Sequence, residues 1–330
     1  MELRKGVLQL IGRTPLVPLD RMFAGAHYRV FAKLEMMNPG GSAKDRPALR
    51  MIDKAIERGE IGPGTTIVES SSGNLAISLA LICRCLGLPF ICVLDARTTP
   101  VHLRLLRSYG ARIEWIREPD RDTGEYLPAR LRRVRELLAD IPGSYWPNQY
   151  ANPDNYLAHY ETTMPELLQE LGRIDYLFCG ISTFGTLRGC AERIRAEGLP
   201  TKVVAVDAAA SVIFGAVPGA VRRLPGLGAA IVPPLSRPEL ADRVARVGDV
   251  DCVRGCRELL NAEAIMAGAS SGAVLSAIRL MQVDIEPGAV CAAILVDRGE
   301  RYGDTVYDDE WVAGLPGGRE LLAETQEELR

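Results

Sequence analysis

Lys44 is the first residue whose setting suggests chemistry. It lies in Asn38-Pro39-Gly40-Gly41-Ser42-Ala43-Lys44-Asp45-Arg46, between an apolar strand-like run (30–35) and an amphipathic segment (47–58). Asn-Pro and Gly-Gly favour a tight connection. Ser42 suits a helix N-cap, which places Lys44 in the first turn. The helix dipole disfavours a cation there. A neutral lysine, or one engaged in a Schiff base, suits the position better. A surface lysine after a turn is the ordinary alternative.

Three other stretches share a design: Ser70-Ser71-Ser72-Gly73-Asn74, Ser182-Thr183-Phe184-Gly185-Thr186 and Ser270-Ser271-Gly272. Each is rich in small or hydroxyl residues and opens a helical pattern. Helix starts expose unpaired N–H groups and a positive dipole end, so they bind carboxylate or phosphate. Simple capping would explain any one of them; three, beside a lysine turn, point to a shared anion site. None is a Walker loop or a Gly-x-Gly-x-x-Gly fingerprint, so nucleotide binding is not signalled. A lysine near several anion-binding helix starts suggests pyridoxal phosphate, with the lysine as Schiff base and one loop on the phosphate.

Alternating elements must position these loops. Strands are expected at 65–69, 90–94 and 112–116, between helices at 47–58, 75–86, 101–109 and 127–139. A second run has a helix at 156–171, a strand at 176–179, a helix at 187–196 and a strand at 202–206. A Pro/Gly-rich stretch (207–234), helices at 253–261 and 273–281, and a strand at 290–296 follow. This is an α/β pattern of parallel sheets with helices on their faces. Helix starts of such sheets gather at the carboxyl edge of the strands, where ligands sit. The acidic tail after Gly318 is expected to fray.

Composition narrows the function. The 330 residues are 47% hydrophobic and 25% charged, with a net charge of -3, a soluble globular balance. No basic run points to nucleic acid or a membrane surface. No apolar run is long enough to span a bilayer, and the first residues lack a signal-peptide pattern, so a cytoplasmic location is expected. The cysteines include no Cys-x-x-Cys pair and there are three histidines, so neither a metal site nor a disulfide framework is expected. His159 is expected to pack and hydrogen-bond, and His102 to lie on an exposed helix start. The 297–302 segment is expected to be structural.

Five motifs together resemble one family. They are Ile11-Gly12-Arg13-Thr14-Pro15-Leu16, the Lys44 stretch, Ser71-Ser72-Gly73-Asn74, Asn148-Gln149-Tyr150-Ala151-Asn152-Pro153 and Gly268-Ala269-Ser270-Ser271-Gly272. In order, they are similar to the cysteine synthase (O-acetylserine sulfhydrylase) family of fold-type II pyridoxal-phosphate enzymes. The resemblance implies two lobes, each with a mostly parallel sheet flanked by helices. Residues 1–37 and 146–330 would form the large cofactor lobe, and 38–145 a smaller mobile lobe that closes over substrate. It also implies a homodimer acting on amino-acid substrates.

Residue roles follow from the resemblance. Lys44 carries pyridoxal 5′-phosphate and moves the α-proton. Asn74 bonds the 3′-oxygen. Ser182, Thr183, Phe184, Gly185 and Thr186 hold the phosphate. Ser270 faces the pyridine nitrogen, where a neutral hydroxyl favours β-elimination over transamination. Ser71, Ser72, Asn74 and Gln149 grip the substrate carboxylate.

Departures point to one branch. The phosphate loop is Ser-Thr-Phe-Gly-Thr where the family has Gly-Thr-Gly-Gly-Thr, and Tyr150 stands in place of Phe. Val206-Asp207-Ala208 replaces a Glu-Pro segment, with Ser211-Val212-Ile213-Phe214-Gly215 after it. With Glu118-Pro119-Asp120 and 224–229, which places Gly228 at the substrate, this resembles a branch that joins O-phospho-L-serine to L-glutamate in siderophore synthesis. Arg130 matches that branch's arginine and suits a leaving phosphate; Ser182 and Tyr150 add hydroxyl donors. Other nucleophiles stay open: sulfide, as in a cysteine synthase using O-phosphoserine or O-acetylserine, or ammonia or another amine, as in a 2,3-diaminopropionate synthase of antibiotic synthesis. A catalytically silent homologue is opposed by intact Lys44, Asn74 and Ser270.

Overall fold

Apolar runs bounded by turn residues become the strands of two separate sheets. The computed structural model describes residues 5–328. The strands are β1 (Leu16–Pro18), β2 (Arg29–Leu34), β3 (Ile67–Ser70), β4 (Phe90–Asp95), β5 (Arg112–Ile116), β6 (Tyr176–Gly180), β7 (Lys202–Ala208), β8 (Arg243–Val247) and β9 (Val290–Leu295). The chain divides into two compact units. One holds the residues up to Ile11 and Asn38–Asn155; the other holds Gly12–Met37 and the residues from Tyr156 on.

In the first unit the sheet is β3-β4-β5, parallel throughout. All six residues of β4 are buried, as expected for an interior parallel strand covered on both faces. Side chains alternate between the faces. Val68, Ile91 and Val93 pack with Val134 and Leu137 of the helix Tyr126–Asp140. Ile67, Phe90, Cys92 and Leu94 pack with residues of the helices Asp45–Glu57 and Asn74–Leu86.

In the second unit the order is β1-β2-β9-β6-β7-β8, antiparallel only between β1 and β2. Edge strand β8 is absent from the sequence reading because its charges, Arg243 and Arg246, fall three residues apart and break the period-2 alternation that marks a half-buried strand. The expected helix at 156–171 is interrupted. Asp154–Ala158 runs into one π turn, His159–Thr163, before Met164–Leu171. Pro165 removes a backbone donor there, and the Thr162 hydroxyl takes the Ala158 carbonyl at 2.6 Å. The tail expected to fray is helical over Gly318–Glu328, with Leu321 buried and Glu324 paired to Arg254 at 2.6 Å; its last two positions lie outside the described residues. No helix among the described residues is long and apolar enough to cross a membrane.

Candidate active site

Helix Asp45–Glu57 starts one residue after Lys44, so Lys44 is the N-cap rather than a first-turn residue. Ser42 still serves the turn, since its hydroxyl accepts the Lys44 N–H at 3.3 Å. Asp45 braces this turn from inside and is fully buried. One carboxylate oxygen accepts the Gly40 N–H at 2.5 Å, and the other accepts the Ser78 hydroxyl at 2.5 Å. Ser78 lies one turn into the helix that Asn74 opens, 3.1 Å from the Asn74 carbonyl. Asp45 thus ties the lysine turn to the asparagine loop. A Cβ on Gly40 would fall 2.3 Å from Asp45, so this position requires glycine.

Ser71 is buried, and Ser72 and Asn74 are half-buried. The loop that carries them is tied to the Gln149 turn by Glu69, the last acidic residue of β3. Trp146 and Ser70 donate to its Oε1 at 2.9 and 2.8 Å, and the Gln149 N–H donates to Oε2 at 3.4 Å. Gln149 is buried, and its carbonyl accepts the Asn155 amide at 2.7 Å; Tyr150 beside it is half-buried.

Arg130 is not part of a solvated basic face. It is only 9% exposed, and its Nε lies 3.2 Å from Asp95 Oδ2 at the end of β4. The angle of that contact is outside hydrogen-bond geometry, and Nη1 is buried without a hydrogen-bond partner among the described residues. Its neighbours Arg132 and Arg133 pair instead with Asp120 and Glu114, at 2.7 and 2.9 Å. His102 is buried, not exposed as expected, because its Nδ1 turns back onto the cap hydroxyl of Thr99 at 2.5 Å.

In the second unit three predicted segments meet at the carboxyl end of β6. Ile181, the first residue after β6, accepts the Gly228 N–H at 2.7 Å. A Cβ on Gly180 would lie 3.7 Å from the Ser270 carbonyl. The loop Ser182-Thr183-Phe184 leads directly into the helix Gly185–Ala196. Ser270 lies inside the first turn of the helix Ala269–Leu280, which starts four residues before the expected 273. Gly228 packs on the divergent segment: Val212 donates to Ala229 O at 3.0 Å, and Ala229 donates to Ser211 Oγ at 3.2 Å.

The loop at 182–186 fits a phosphate. The helix after it has no acidic residue in its first turn and no side chain capping it. Its first-turn N–H groups lie beside the buried hydroxyls of Thr183, which accepts the Gly185 N–H at 3.5 Å, and Thr186, so the loop offers neutral polar groups at a positive helix end. Phe184 holds the left-handed turn with φ 72, a conformation that favours glycine, and is anchored by packing on Phe214.

Sequence reasoning missed the residues behind these. His159, fully buried, packs and hydrogen-bonds as expected, but its Nε2 meets Thr186 Oγ1 at 3.2 Å and its Nδ1 meets Thr163 Oγ1 at 2.8 Å. It therefore orients a hydroxyl of the 182–186 segment. Asp297 accepts the Gly268 N–H on its carbonyl at 2.9 Å and the Tyr302 hydroxyl on Oδ2 at 2.8 Å. Burial, with the Asp297 charge behind it, pushes the Tyr302 phenol well above its usual range. Asp297 and Tyr302 support the start of the Ser270 helix. A buried acid at the end of an apolar strand, Glu69, was the one local signal available for such residues.

Residues 7–297 match the family model described as pyridoxal-phosphate dependent enzyme, and the chain belongs to that family. It is a pyridoxal-phosphate enzyme of fold type II, the fold expected from its motifs. It is 50% identical over 317 residues to N-(2-amino-2-carboxyethyl)-L-glutamate synthase of Ralstonia nicotianae, covering 96% of this chain and 93% of that one. It is 45% identical to the synthase of the same name from Cupriavidus metallidurans, covering 95% and 92%. Among solved structures, O-ureido-L-serine synthase matches with a TM-score of 0.85 at 32% identity, over 95% of this chain and 100% of that one. The O-acetylserine dependent cystathionine beta-synthase of Helicobacter pylori matches with 0.84 at 29%, over 92% and 99%.

Proposed function

We propose that this enzyme joins O-phospho-L-serine and L-glutamate to give N-(2-amino-2-carboxyethyl)-L-glutamate and phosphate. What carries the reading is the identity of 50% and 45%, over nearly the whole chain, to two synthases of that name. The buried guanidinium nitrogen of Arg130, with no hydrogen-bond partner among the described residues, supports an anionic leaving group.

Lys44 would hold the cofactor covalently, the N–H groups and hydroxyls of 182–186 its phosphate, Asn74 its 3′-oxygen and Ser270 its ring nitrogen. When bound, the cofactor supplies an electron sink that makes the substrate Cα–H acidic and its β-substituent labile. Ser71, Ser72, Asn74 and Gln149 orient the substrate carboxylate. The Lys44 amine takes the Cα proton. Arg130, with Ser182 and Tyr150 as hydroxyl donors, receives the phosphate as the Cβ–O bond breaks with its electron pair. The glutamate amine then forms the Cβ–N bond and loses a proton, and Lys44 returns one to Cα. Gly228 would border the substrate with its backbone.

The same reading makes the product a 2,3-diaminopropionate precursor for a siderophore and the enzyme a cytoplasmic homodimer with small amino-acid ligands. Sedimentation of the purified protein tests the dimer. For the reaction, O-phospho-L-serine is mixed with purified holoenzyme, and L-glutamate or sulfide is added separately. Phosphate release that depends on glutamate, with a product of the coupled mass, is expected. Release with sulfide and none with glutamate would make it a cysteine synthase.

A further inference from the structure

Glu69 is fully buried, and the mechanism above does not use it. Among the described residues, the groups hydrogen-bonded to its carboxylate are all donors: the Ser70 and Gln149 N–H groups, the Trp146 indole and the Asn148 N–H. Asn148 holds the left-handed conformation, φ 50, that turns the chain towards Gln149. Cys92, the register partner of Glu69 on β4, donates its thiol to the Ser71 carbonyl at 3.3 Å. Glu69 therefore sits beneath two loops at once, 70–74 and 148–150.

We infer that Glu69 is a positioning residue whose ionised carboxylate clamps these two loops into one geometry and whose protonation lets the Gln149 loop go. The inference rests on the reading that Ser71, Ser72, Asn74 and Gln149 grip the substrate carboxylate. A protonated carboxyl needs an acceptor for its O–H, and this cage offers donors, so the added proton breaks the cage rather than joining it. Burial pushes the Glu69 carboxyl up to about 7, against the hydrogen bonds that hold it down. The clamp therefore releases within an ordinary pH range.

The surrounding titratable groups do not offer another switch there. On the face of the sheet that Glu69 shares, Cys92 of β4 and Cys83 of the helix Asn74–Leu86 are thiols pushed up by burial, Cys83 to about 12. Arg130 and Asp95 belong to the side of the helix Tyr126–Asp140 and are paired to each other.

Trp146 reports on the clamp directly, without substrate. Its indole N–H donates to Glu69, so holoenzyme fluorescence titrated from pH 5.5 to 8.5 should change with a midpoint near 7. The change should vanish in Trp146→Phe and in Glu69→Gln. A wild-type titration that is flat, or one that survives in Glu69→Gln, overturns the inference even if the enzyme proves active. In steady state, the KM for O-phosphoserine should rise about tenfold as pH falls from 8 to 6, with kcat moving less. Glu69→Gln should show the raised KM at both ends, which separates Glu69 from the substrate phosphate's own titration near pH 6. A KM in Glu69→Gln that follows the wild-type profile would overturn the link to substrate binding. If Glu69→Gln does not fold, the wild-type and Trp146→Phe titrations still decide the matter.

Discussion

Replacing Arg130 tests whether the leaving group is phosphate. Its side chain is nearly buried, faces Asp95 at 3.2 Å and has a guanidinium nitrogen without a hydrogen-bond partner among the described residues. A charge-assisted hydrogen bond contributes about 1.5–3 kcal/mol, and a buried donor left unmade costs a similar amount. Binding the phosphate thus relieves a cost already present in the free enzyme. Arg130→Met should lower kcat/KM for O-phosphoserine by about 30- to 150-fold, from about 2–3 kcal/mol at 1.36 kcal/mol per tenfold. The substitution also strips Asp95, only 2% exposed, of its cation. Breaking a buried pair one-sidedly destabilises by about 3–5 kcal/mol, here reduced because the Arg97 N–H still donates to Asp95 at 2.8 Å. The double change Arg130→Met with Asp95→Asn removes that complication. Kinetics with O-phosphoserine and O-acetylserine under one nucleophile, together with inhibition by inorganic phosphate, read the outcome. Phosphate inhibition should weaken in step with O-phosphoserine use while O-acetylserine use holds. Equal losses for both substrates, with unchanged phosphate inhibition, would remove Arg130 from the phosphate site.

Lys44→Ala should abolish phosphate release and the visible band of the lysine-bound cofactor; turnover at the normal rate would sink the assignment of Lys44. His159→Gln should weaken cofactor binding about fivefold, about 1 kcal/mol, because Thr186 loses its partner; titration of the cofactor-free protein measures it, and unchanged affinity would detach His159 from the loop. Gly189→Ala places a Cβ 2.1 Å from the Tyr156 carbonyl, so the thermal midpoint should fall by the equivalent of about 1–3 kcal/mol or more; a midpoint left in place would show that the helix Gly185–Ala196 can give way there. Glu69 also makes stability depend on pH. Burial, not the donor cage, sets the sign for the chain as a whole: the folded pKa lies above the ordinary 4.5, so global stability is greatest below about pH 4.5 and falls as pH rises through about 7, even as protonation loosens the Gln149 loop locally while the carboxyl stays buried. The loss is about 3 kcal/mol, from a shift of about 2.5 at 1.36 kcal/mol each, and denaturant midpoints of wild type against Glu69→Gln across that range should show it.

The helix starts of the candidate site were legible because they are local. Turn dipeptides, small hydroxyl residues and apolar periods located Lys44, Asn74, the 182–186 loop and Ser270 beside helix starts, since caps and turns are decided within a few residues. The same locality explains the small misses. Lys44 caps its helix instead of lying inside it, and Ser270 lies inside a helix instead of before it, because any of several adjacent small residues can serve as the cap.

Burial and partnership are where the sequence ends. Arg130 and Arg132 are neighbours on one helix, yet one is buried against β4 and the other faces solvent beside Asp120. His102 read as exposed and folds inward; Leu321, in the tail read as loose, is buried. Glu69 and Trp146 stand 77 residues apart, and His159 and Thr186 stand 27 apart. Lys44, the three helix starts and the α/β order were set by the chain's own local chemistry. Only the packing of strands and helices decided that Glu69 is caged by donors, that Arg130 is buried and that His159 meets the Thr186 hydroxyl. Those properties depend on desolvation and on neighbours brought in from distant parts of the sequence.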